Sequence, residues 1–119
     1  MKNILNLTQH PATPEQIAAG VVEPQDKAAV ARLLTFDTLP SSEDIAARAM
    51  ALAALAKTVN ADAAMIGGAP YLMGPLERAL SGVCQAVYSF SVRTSTEITQ
   101  PDGSVRKVAT FRHAGWVGL

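Results

Sequence analysis

Two short apolar runs in this chain are each followed, after a short loop, by a segment that begins a helix. The first, Ile4–Leu7, is followed by "ATPEQ", in which Thr13 is placed to cap a helix and Gln16 to complete a capping box. The second lies in "ADAAMIGGAP", where the apolar run ends in Gly67-Gly68 before another helical segment. A strand followed by a helix is the repeating unit of a parallel sheet. The chain is therefore predicted to fold as an α/β domain.

The remaining helices and strands follow in the order β-α-β-α-α-β-α-β-β. The first helix is predicted over about residues 14–19, with a short strand at 21–23. A second helix opens at residues 24–26 and ends before Pro40. A third opens at Ser41, and its apolar residues 45, 49, 52, 55 and 59 share one face. A fourth ends at Gly82, and Pro75 requires either that the regular helix begin there or that the helix be kinked there.

The last third of the chain has a different composition. Residues 86–117 are rich in Val, Tyr, Phe, Thr and Ser, and the turn sequence "QPDGS" interrupts them. Strands of one sheet are expected at 3–8, 62–67 and 85–93. The predicted fold is a small Rossmann-like sheet, mostly parallel and flanked by helices, with a C-terminal antiparallel β-hairpin over about 86–117. A single domain is expected to span residues 1–119.

Composition excludes several classes of protein. The chain of 119 residues has ten basic and ten acidic residues, so it is not expected to bind duplex nucleic acid through a basic face. Its one cysteine cannot form an internal disulfide. The N-terminus is too polar for a signal peptide, and the most apolar helical segment contains Arg48 and Lys57. A cytoplasmic protein with no membrane contact is expected.

Two loops are predicted to meet at the carboxyl edge of the sheet, where ligands bind in open α/β folds. Thr8-Gln9-His10 follows the first strand, and Gly67-Gly68-Ala69-Pro70 follows the third. The glycines would let the backbone approach an anion at the start of a helix. Alternatively, one glycine serves only a tight turn that needs a positive φ. His10 is either a proton carrier or an ordinary loop residue.

The hairpin has a local excess of basic residues. Arg106 and Lys107 are expected to pair with Glu97 on the opposite strand. Arg93 ends "AVYSFSVR", on the polar face of an alternating strand, and a guanidinium at the carboxyl end of a strand can hold a phosphate at two points. No metal site or cofactor is expected, because His10 and His113 lack partners at ligand spacing.

Together these segments resemble the small CRISPR-associated Rossmann-fold (CARF) proteins, especially the stand-alone ring nucleases that degrade cyclic oligoadenylate messengers. The resemblance rests on "NLTQHPATPEQ" after the first strand, on "MIGGAPYLM" as a glycine loop opening a helix, and on "YSFSVRTSTEITQPDGSVRKVATFRHAGWVGL" as a terminal hairpin. It covers most of the chain in element order. The Thr-Lys that often follows the glycine loop in larger members of the family is absent.

The resemblance implies a homodimer that binds cyclic tetra-adenylate across its two-fold axis and cleaves it, switching off a CRISPR antiviral signal. A ribose 2′-hydroxyl would attack the neighbouring phosphate without a metal and leave a cyclic phosphate end. The implied catalytic residues are His10, which would take or give a proton, and Arg93, which would neutralise the transition state. The implied ligand-binding residues are Thr8, Gln9, Gly67, Gly68, Ala69, Arg112 and His113.

Two alternatives stay open at the level of sequence. One is a nucleotide-binding sensor or sponge of the same fold, which needs the glycine loop and a basic pocket but no catalysis. The other is a structural or interaction protein whose hairpin pairs with a partner strand. The enzyme requires that His10 and Arg93 converge.

Overall fold

The computed structural model describes residues 3–118 and shows an α/β fold. Its elements are β1 Ile4–Leu7, α1 Pro14–Ala18, β2 Val21–Val22, α2 Lys27–Leu34, α3 Ser42–Thr58, β3 Ala63–Ile66, α4 Pro70–Leu80, β4 Gln85–Thr99 and β5 Val105–Gly118. The five strands form one sheet in the order β2-β1-β3-β4-β5. The first four are parallel, and β5 is antiparallel to β4. The predicted fold class and element order are thus confirmed.

Side-chain caps fix where three of the helices begin. Thr13 and Gln16 form the predicted capping box: Gln16 N donates to Thr13 Oγ1 at 3.2 Å, and Thr13 N donates to Gln16 Oε1 at 3.0 Å. Asp26 caps α2 by accepting from Ala29 N, and Ser41 caps α3 by accepting from Asp44 N. These caps place the strand-to-helix loops in fixed positions relative to the sheet.

The sequence left the exact bounds of two helices open. Helix α2 ends at Leu34, well before Pro40, because Thr35 is already extended and Arg48 Nη1 donates to the carbonyl oxygens of Arg32 and Thr35. These bonds satisfy backbone acceptors at the end of the helix. Helix α4 begins at Pro70, its first helical residue, and continues through Pro75 to Leu80. The alternative in which the regular helix begins at Pro75 is therefore wrong.

The sheet divides the core into two unequal layers. Side chains of Leu5, Leu7, Ala64 and Ile66 pack with α2, α3 and α4 in the larger cluster, which includes Ala49, Ala53 and Ala56 of α3 among its buried residues. The opposite face carries a small cluster, formed by Ile4, Val21, Ala63, Met65 and Val87 with Ala12 and Trp116 packed against it. The helices that pack in the larger cluster are α2, α3 and α4, so the small cluster on the opposite face has less cover from helices.

The β4–β5 hairpin extends far beyond the other strands. In the described chain β4 pairs with β3 only over Gln85–Val87 and then continues to Thr99 against β5 alone. We call residues 91–113 the arm and the remaining described residues the body. The principal extents of the molecule are 56, 35 and 24 Å. The expected strand at 85–93 is therefore too short, and Arg93 lies in the middle of β4 and not at the carboxyl end of a strand.

No helix within residues 3–118 is long and apolar enough to cross a membrane.

Candidate functional site

A cavity of about 540 Å³ opens at the carboxyl ends of β1, β3 and β4. Three segments line it: the loop after β1 with the start of α1, the end of β3 with its glycine loop, and two residues of β4. The lining residues are Thr8, Gln9, His10, Pro11, Thr13, Gln16, Met65, Ile66, Gly67, Gly68, Tyr88 and Ser89. We call this cavity the pocket. Its volume is within the range of small-molecule sites in proteins, and its place is the usual one in an open α/β sheet.

The structure brings together five of the nine residues that the sequence placed in the site. Thr8, Gln9, His10, Gly67 and Gly68 all line the pocket. Ala69, Arg93, Arg112 and His113 lie outside its lining. Arg93 and Arg112 are paired across the arm with Phe111 and Val92, on opposite faces of the hairpin. The convergence of His10 with Arg93 is therefore not present within one subunit.

A buried asparagine holds the loop that carries His10. Asn6 is fully buried in β1, and its Oδ1 accepts from Thr8 N at 3.0 Å and from Thr8 Oγ1 at 2.7 Å. Its Nδ2 donates to the carbonyl oxygen of His10 at 2.9 Å and to Glu23 Oε1. Buried polar groups are costly unless bonded in this way. Asn6 was not identified from sequence, although a polar residue in the centre of "ILNL" was the signal for it.

A lysine binds the same loop from α2. Lys27 Nζ donates to the carbonyl oxygens of Thr8 and His10 at 3.1 and 3.2 Å, and it lies 3.5 Å from Glu23 Oε1. Thr8 Oγ1 lies 3.2 Å from the same carbonyl oxygen, but its single proton is used in the shorter bond to Asn6 Oδ1. The backbone carbonyl of His10 is therefore held by Asn6 and Lys27, while the His10 side chain is exposed at the rim of the pocket. The loop has a fixed position, and the imidazole can turn within it.

A chain of hydrogen bonds connects the pocket to His113. Because Gln16 Oε1 accepts from Thr13 N, the amide of Gln16 is oriented so that Nε2 donates to Ser89 Oγ at 3.2 Å. Ser89 Oγ lies 2.6 Å from His113 Nδ1. Ser89 Oγ and His113 Nδ1 are therefore hydrogen-bonded, and the tautomer of the imidazole decides which of the two atoms donates. Ser89 is thus a hydroxyl of the pocket whose orientation is set by two neighbours.

The glycine loop brings the end of β3 against the loop after β1. A Cβ on Gly67 would lie 3.5 Å from Thr8 Cγ2, and Gly68 has a φ of +148°, which favours glycine. Gly68 therefore serves a tight turn, and Gly67 lies where the two loops approach each other. Helix α4 follows directly, and Ala69 at its N-cap makes no side-chain hydrogen bond to the first turn. Pro70 has no amide proton, and the amide of Leu72 donates to the carbonyl oxygen of Ala69 at 3.0 Å, so this turn offers an anion few of its amides.

Tyr88 closes the wall of the pocket as a neutral phenol. Its hydroxyl donates to Glu77 Oε1 at 2.7 Å. Desolvation on burial, together with this bond and the charge of Glu77, raises the pKa of Tyr88 to about 12. The phenol therefore keeps its proton throughout the physiological range.

The pocket itself has no permanent charge. None of its twelve lining residues is Lys, Arg, Asp or Glu. In the described part of the chain, no three His, Cys, Asp or Glu side chains cluster as metal ligands. The groups that face a ligand are amides, hydroxyls and one imidazole, with apolar surface from Met65 and Ile66. Such a lining suits a ligand with sugar hydroxyls and a heterocyclic base, whereas its phosphates would need cations from elsewhere.

Comparison with known proteins places the chain by family. Neither the curated proteins nor the solved structures give a match. A family model described as the uncharacterized protein MJ1673 family matches residues 2–117. The match includes both loops of the pocket and the whole arm. The chain therefore belongs to the MJ1673 family.

Proposed function

We propose that the protein is a ring nuclease that binds cyclic oligoadenylate, above all cyclic tetra-adenylate, and cleaves it without a metal. The observation that carries this proposal is the pocket, in which the fixed loop of His10, the glycine loop and the hydroxyl of Ser89 face one cavity at the carboxyl edge of a parallel sheet. By cleaving the messenger, such an enzyme switches off a CRISPR antiviral signal.

The chemistry of the lining supports a nucleotide ligand. Gly67 and Gly68 line the pocket without side chains, so a ligand can approach their backbone closely. Thr8, Gln9 and Ser89 offer hydrogen bonds to ribose and base. Cavities of roughly 300–1,000 Å³ accommodate drug-sized ligands, so this pocket suits one part of a cyclic tetranucleotide and not the whole ring. A two-fold pair of subunits would present two such pockets to a symmetric ring.

The proposed reaction is an in-line transesterification within the ligand. A ribose 2′-oxygen forms a bond to the adjacent phosphorus, and the bond from phosphorus to the 5′-oxygen breaks. The products are a 2′,3′-cyclic phosphate and a 5′-hydroxyl. Either His10 takes the proton of the 2′-hydroxyl and water protonates the departing 5′-oxygen, or water takes the first proton and protonated His10 gives one to the 5′-oxygen. A guanidinium, for which Arg93 is our candidate, neutralises the charge that develops on the phosphoryl oxygens.

A second candidate is a nucleotide sensor or sponge with the same ligand. It is favoured by one observation: Arg93 does not line the pocket of its own subunit. It needs the glycine loop and a basic pocket, and no residue has to move a proton. Because the lining of the pocket has no Lys or Arg, the sensor too would need its cations from a second subunit. The two candidates share a ligand and differ in whether the bond to the 5′-oxygen breaks.

The test is incubation of the purified protein with cyclic tri-, tetra- and hexa-adenylate in EDTA, followed by chromatographic separation of the products. We expect cleavage of the tetra-adenylate ring. His10→Ala should then lower the single-turnover rate by about 10²- to 10⁴-fold, since general acid–base catalysis contributes that much.

Gln9→Ala is the matched control, because it alters the same loop without removing a proton carrier, and it should change the dissociation constant more than the rate. Binding without cleavage would contradict the enzyme and support the sensor. Absence of both binding and cleavage would contradict both candidates.

A further inference from the structure

The arm exposes apolar side chains over its whole length. Of residues 91–113, only Gln100, Val108 and His113 are even half-buried. Phe111 is 69 % exposed and Val92 is 42 % exposed, and Ile98 and Val105 are exposed on the same two strands. Single exposed hydrophobic residues are ordinary, but a series of them on one projecting hairpin marks an interaction surface.

The backbone of the arm also lacks neighbours. Beyond Val87 the outer edge of β4 has no partner strand among the described residues, and β5 is the last strand of the sheet. An isolated two-stranded hairpin is only marginally stable in water. Edges of this length are usually blocked or covered in natural proteins. The physical expectation is that another surface covers the arm.

The distribution of charge indicates which surface covers the arm. The arm carries four basic residues, Arg93, Arg106, Lys107 and Arg112, against the two acidic residues Glu97 and Asp102, so its net charge is +2. Because the whole chain has a net charge of zero, the rest of the chain carries −2. Each copy of the protein therefore offers a positive arm and a negative body. In a two-fold pair, the positive arm of each copy lies against the negative body of the other, so the same favourable contact is made twice.

The pocket and Arg93 are separated along one face of β4. The side chains of Ser89, Ser91 and Arg93 lie on the same face of β4, and Ser89 is the one of these three that lines the pocket. Four residues of strand place Arg93 about 13 Å from Ser89 at ~3.3 Å per residue. Arg93 is thus on the correct face to meet a ligand but too far along the strand to meet one in its own pocket. The uncharged pocket lacks the cation that the arm holds.

We propose that two copies of the chain associate through their arms, and that the arm of each copy lies over the pocket of the other and supplies Arg93 to the phosphates bound there. The interface rests on the exposed arm and its charge. The role of Arg93 at the pocket rests in addition on the proposed function.

The interface is tested without any ligand. Light scattering should show a dimer of the wild type at micromolar concentration, and Phe111→Ser should weaken dimerisation by at least tenfold. Leu39→Ser is the matched control, because Leu39 is 97 % exposed on the body, outside the arm, and it should leave the dimer unchanged. A monomeric wild type, or equal weakening by the two variants, would overturn the interface.

Hydrogen exchange gives a second measurement on the unaltered protein. Amides of the arm should be protected in the dimer and should lose protection on dilution to the monomer, while amides of β1 and β3 stay protected. Arm amides that stay protected in a monomer would show that a second copy is not what stabilises them, and would overturn the proposal.

The supply of Arg93 to the other subunit is tested by mixing inactive variants. A mixture of His10→Ala and Arg93→Ala chains should recover activity, because a mixed dimer has one pocket with its own His10 and the partner's intact arginine. Random association makes about half of the dimers mixed, so about a quarter of the pockets should be intact.

The matched control is the double variant mixed with wild type. If Arg93 acts across the dimer, the mixed dimers contain no intact pocket; if it acts within one subunit, each contains one. A wild type that cleaves while the two single variants show no recovery would overturn the trans role of Arg93. If the wild type only binds, Arg93→Ala alone is the test, and an unchanged dissociation constant would overturn the role of Arg93 at the phosphates. A wild type that neither cleaves nor binds would contradict both the proposed function and this role of Arg93. The dimer would still be decided by light scattering alone.

Discussion

Asn6 is the residue on which the geometry of the site depends most. Its side chain accepts two hydrogen bonds from Thr8 and donates to His10 and Glu23 while fully buried. Asn6→Leu keeps the approximate volume but leaves the amide of Thr8 and the carbonyl of His10 with fewer partners. We expect it to lower the free energy of unfolding by about 1–3 kcal/mol, the usual cost of unsatisfied buried groups. Urea denaturation measures this difference.

The matched control for that substitution is Asn3→Leu. Asn3 Nδ2 donates to the carbonyls of Val59 and Asn60 at 3.4 Å, in a more exposed position. Its replacement should cost much less than the replacement of Asn6 and should leave ligand affinity unchanged. Equal losses in the two variants would mean that Asn6 stabilises the fold no more than an ordinary surface contact.

The bond between Tyr88 and Glu77 gives a pH dependence whose sign is fixed. The pKa of Tyr88 is raised to about 12 in the folded protein, whereas a tyrosine in an unfolded chain titrates near 10. The folded state holds this proton more tightly, so the interaction stabilises fully below about pH 10 and is lost as pH rises towards 12. The difference in unfolding free energy between wild type and Tyr88→Phe should stay constant up to about pH 10 and fall above it. A difference that persists unchanged to pH 12 would contradict this account.

Some residues of the site could be predicted from the sequence because of their position in the fold, and others could not. Thr8, Gln9, His10 and the glycine pair were predicted at one edge because loops after parallel strands meet there, whatever their detailed contacts. Ser89 was missed as a site residue. Alternation shows which face of a strand it occupies, but its bond to Gln16 joins residues 73 positions apart. Contacts of that kind depend on packing, which no local pattern contains.

At the scale of elements, α4 contains a proline that the helix tolerates at a cost. Pro75 lies in the interior of the helix, where its missing amide proton removes the bond to the carbonyl of Tyr71. Pro75→Ala should raise the free energy of unfolding, by up to about 3 kcal/mol, less whatever its ring contributes by packing. Pro70→Ala is the control, because proline is favourable at the first helical position and its replacement should give no gain. Thermal or urea denaturation of both variants measures the difference. No gain from Pro75→Ala would mean that the packing of the proline ring offsets the lost bond.

The lengths of the elements were predicted less well than their order. The order of elements along the chain, the capping box and the turn at residues 100–104 follow from short local signals, and all three are present. The end of β4 does not, because a hairpin strand continues as long as its partner strand runs beside it. Thr94–Thr99 therefore stay in the ladder with β5, and Arg93 lies within the strand. The predicted end of β4 was six residues too early, and the candidate catalytic residue Arg93 lies outside the pocket of its own subunit.

At the scale of the whole molecule, the body and the arm are stabilised in different ways. The two hydrophobic clusters lie in the body, and none of their buried residues belongs to the arm. The arm contributes length and charge to the molecule instead of core. Its stability is therefore expected to depend on association, and that of the body on its own packing.

A shortened hairpin should separate these two contributions. Removing residues 92–99 and 105–112 joins Ser91 to Gln100 and Ser104 to His113, and Ser91 and His113 are already cross-strand neighbours. The shortened protein should remain folded, because every core residue is retained, and should be monomeric. A ligand or partner that binds only the folded state makes Tm depend on concentration, so the Tm of the wild type should rise with protein concentration while that of the shortened protein stays constant. Calorimetry over a hundredfold range of concentration measures both. If the two proteins behaved alike, the arm would have no part in association; if the shortened protein failed to fold, the body would need the arm after all.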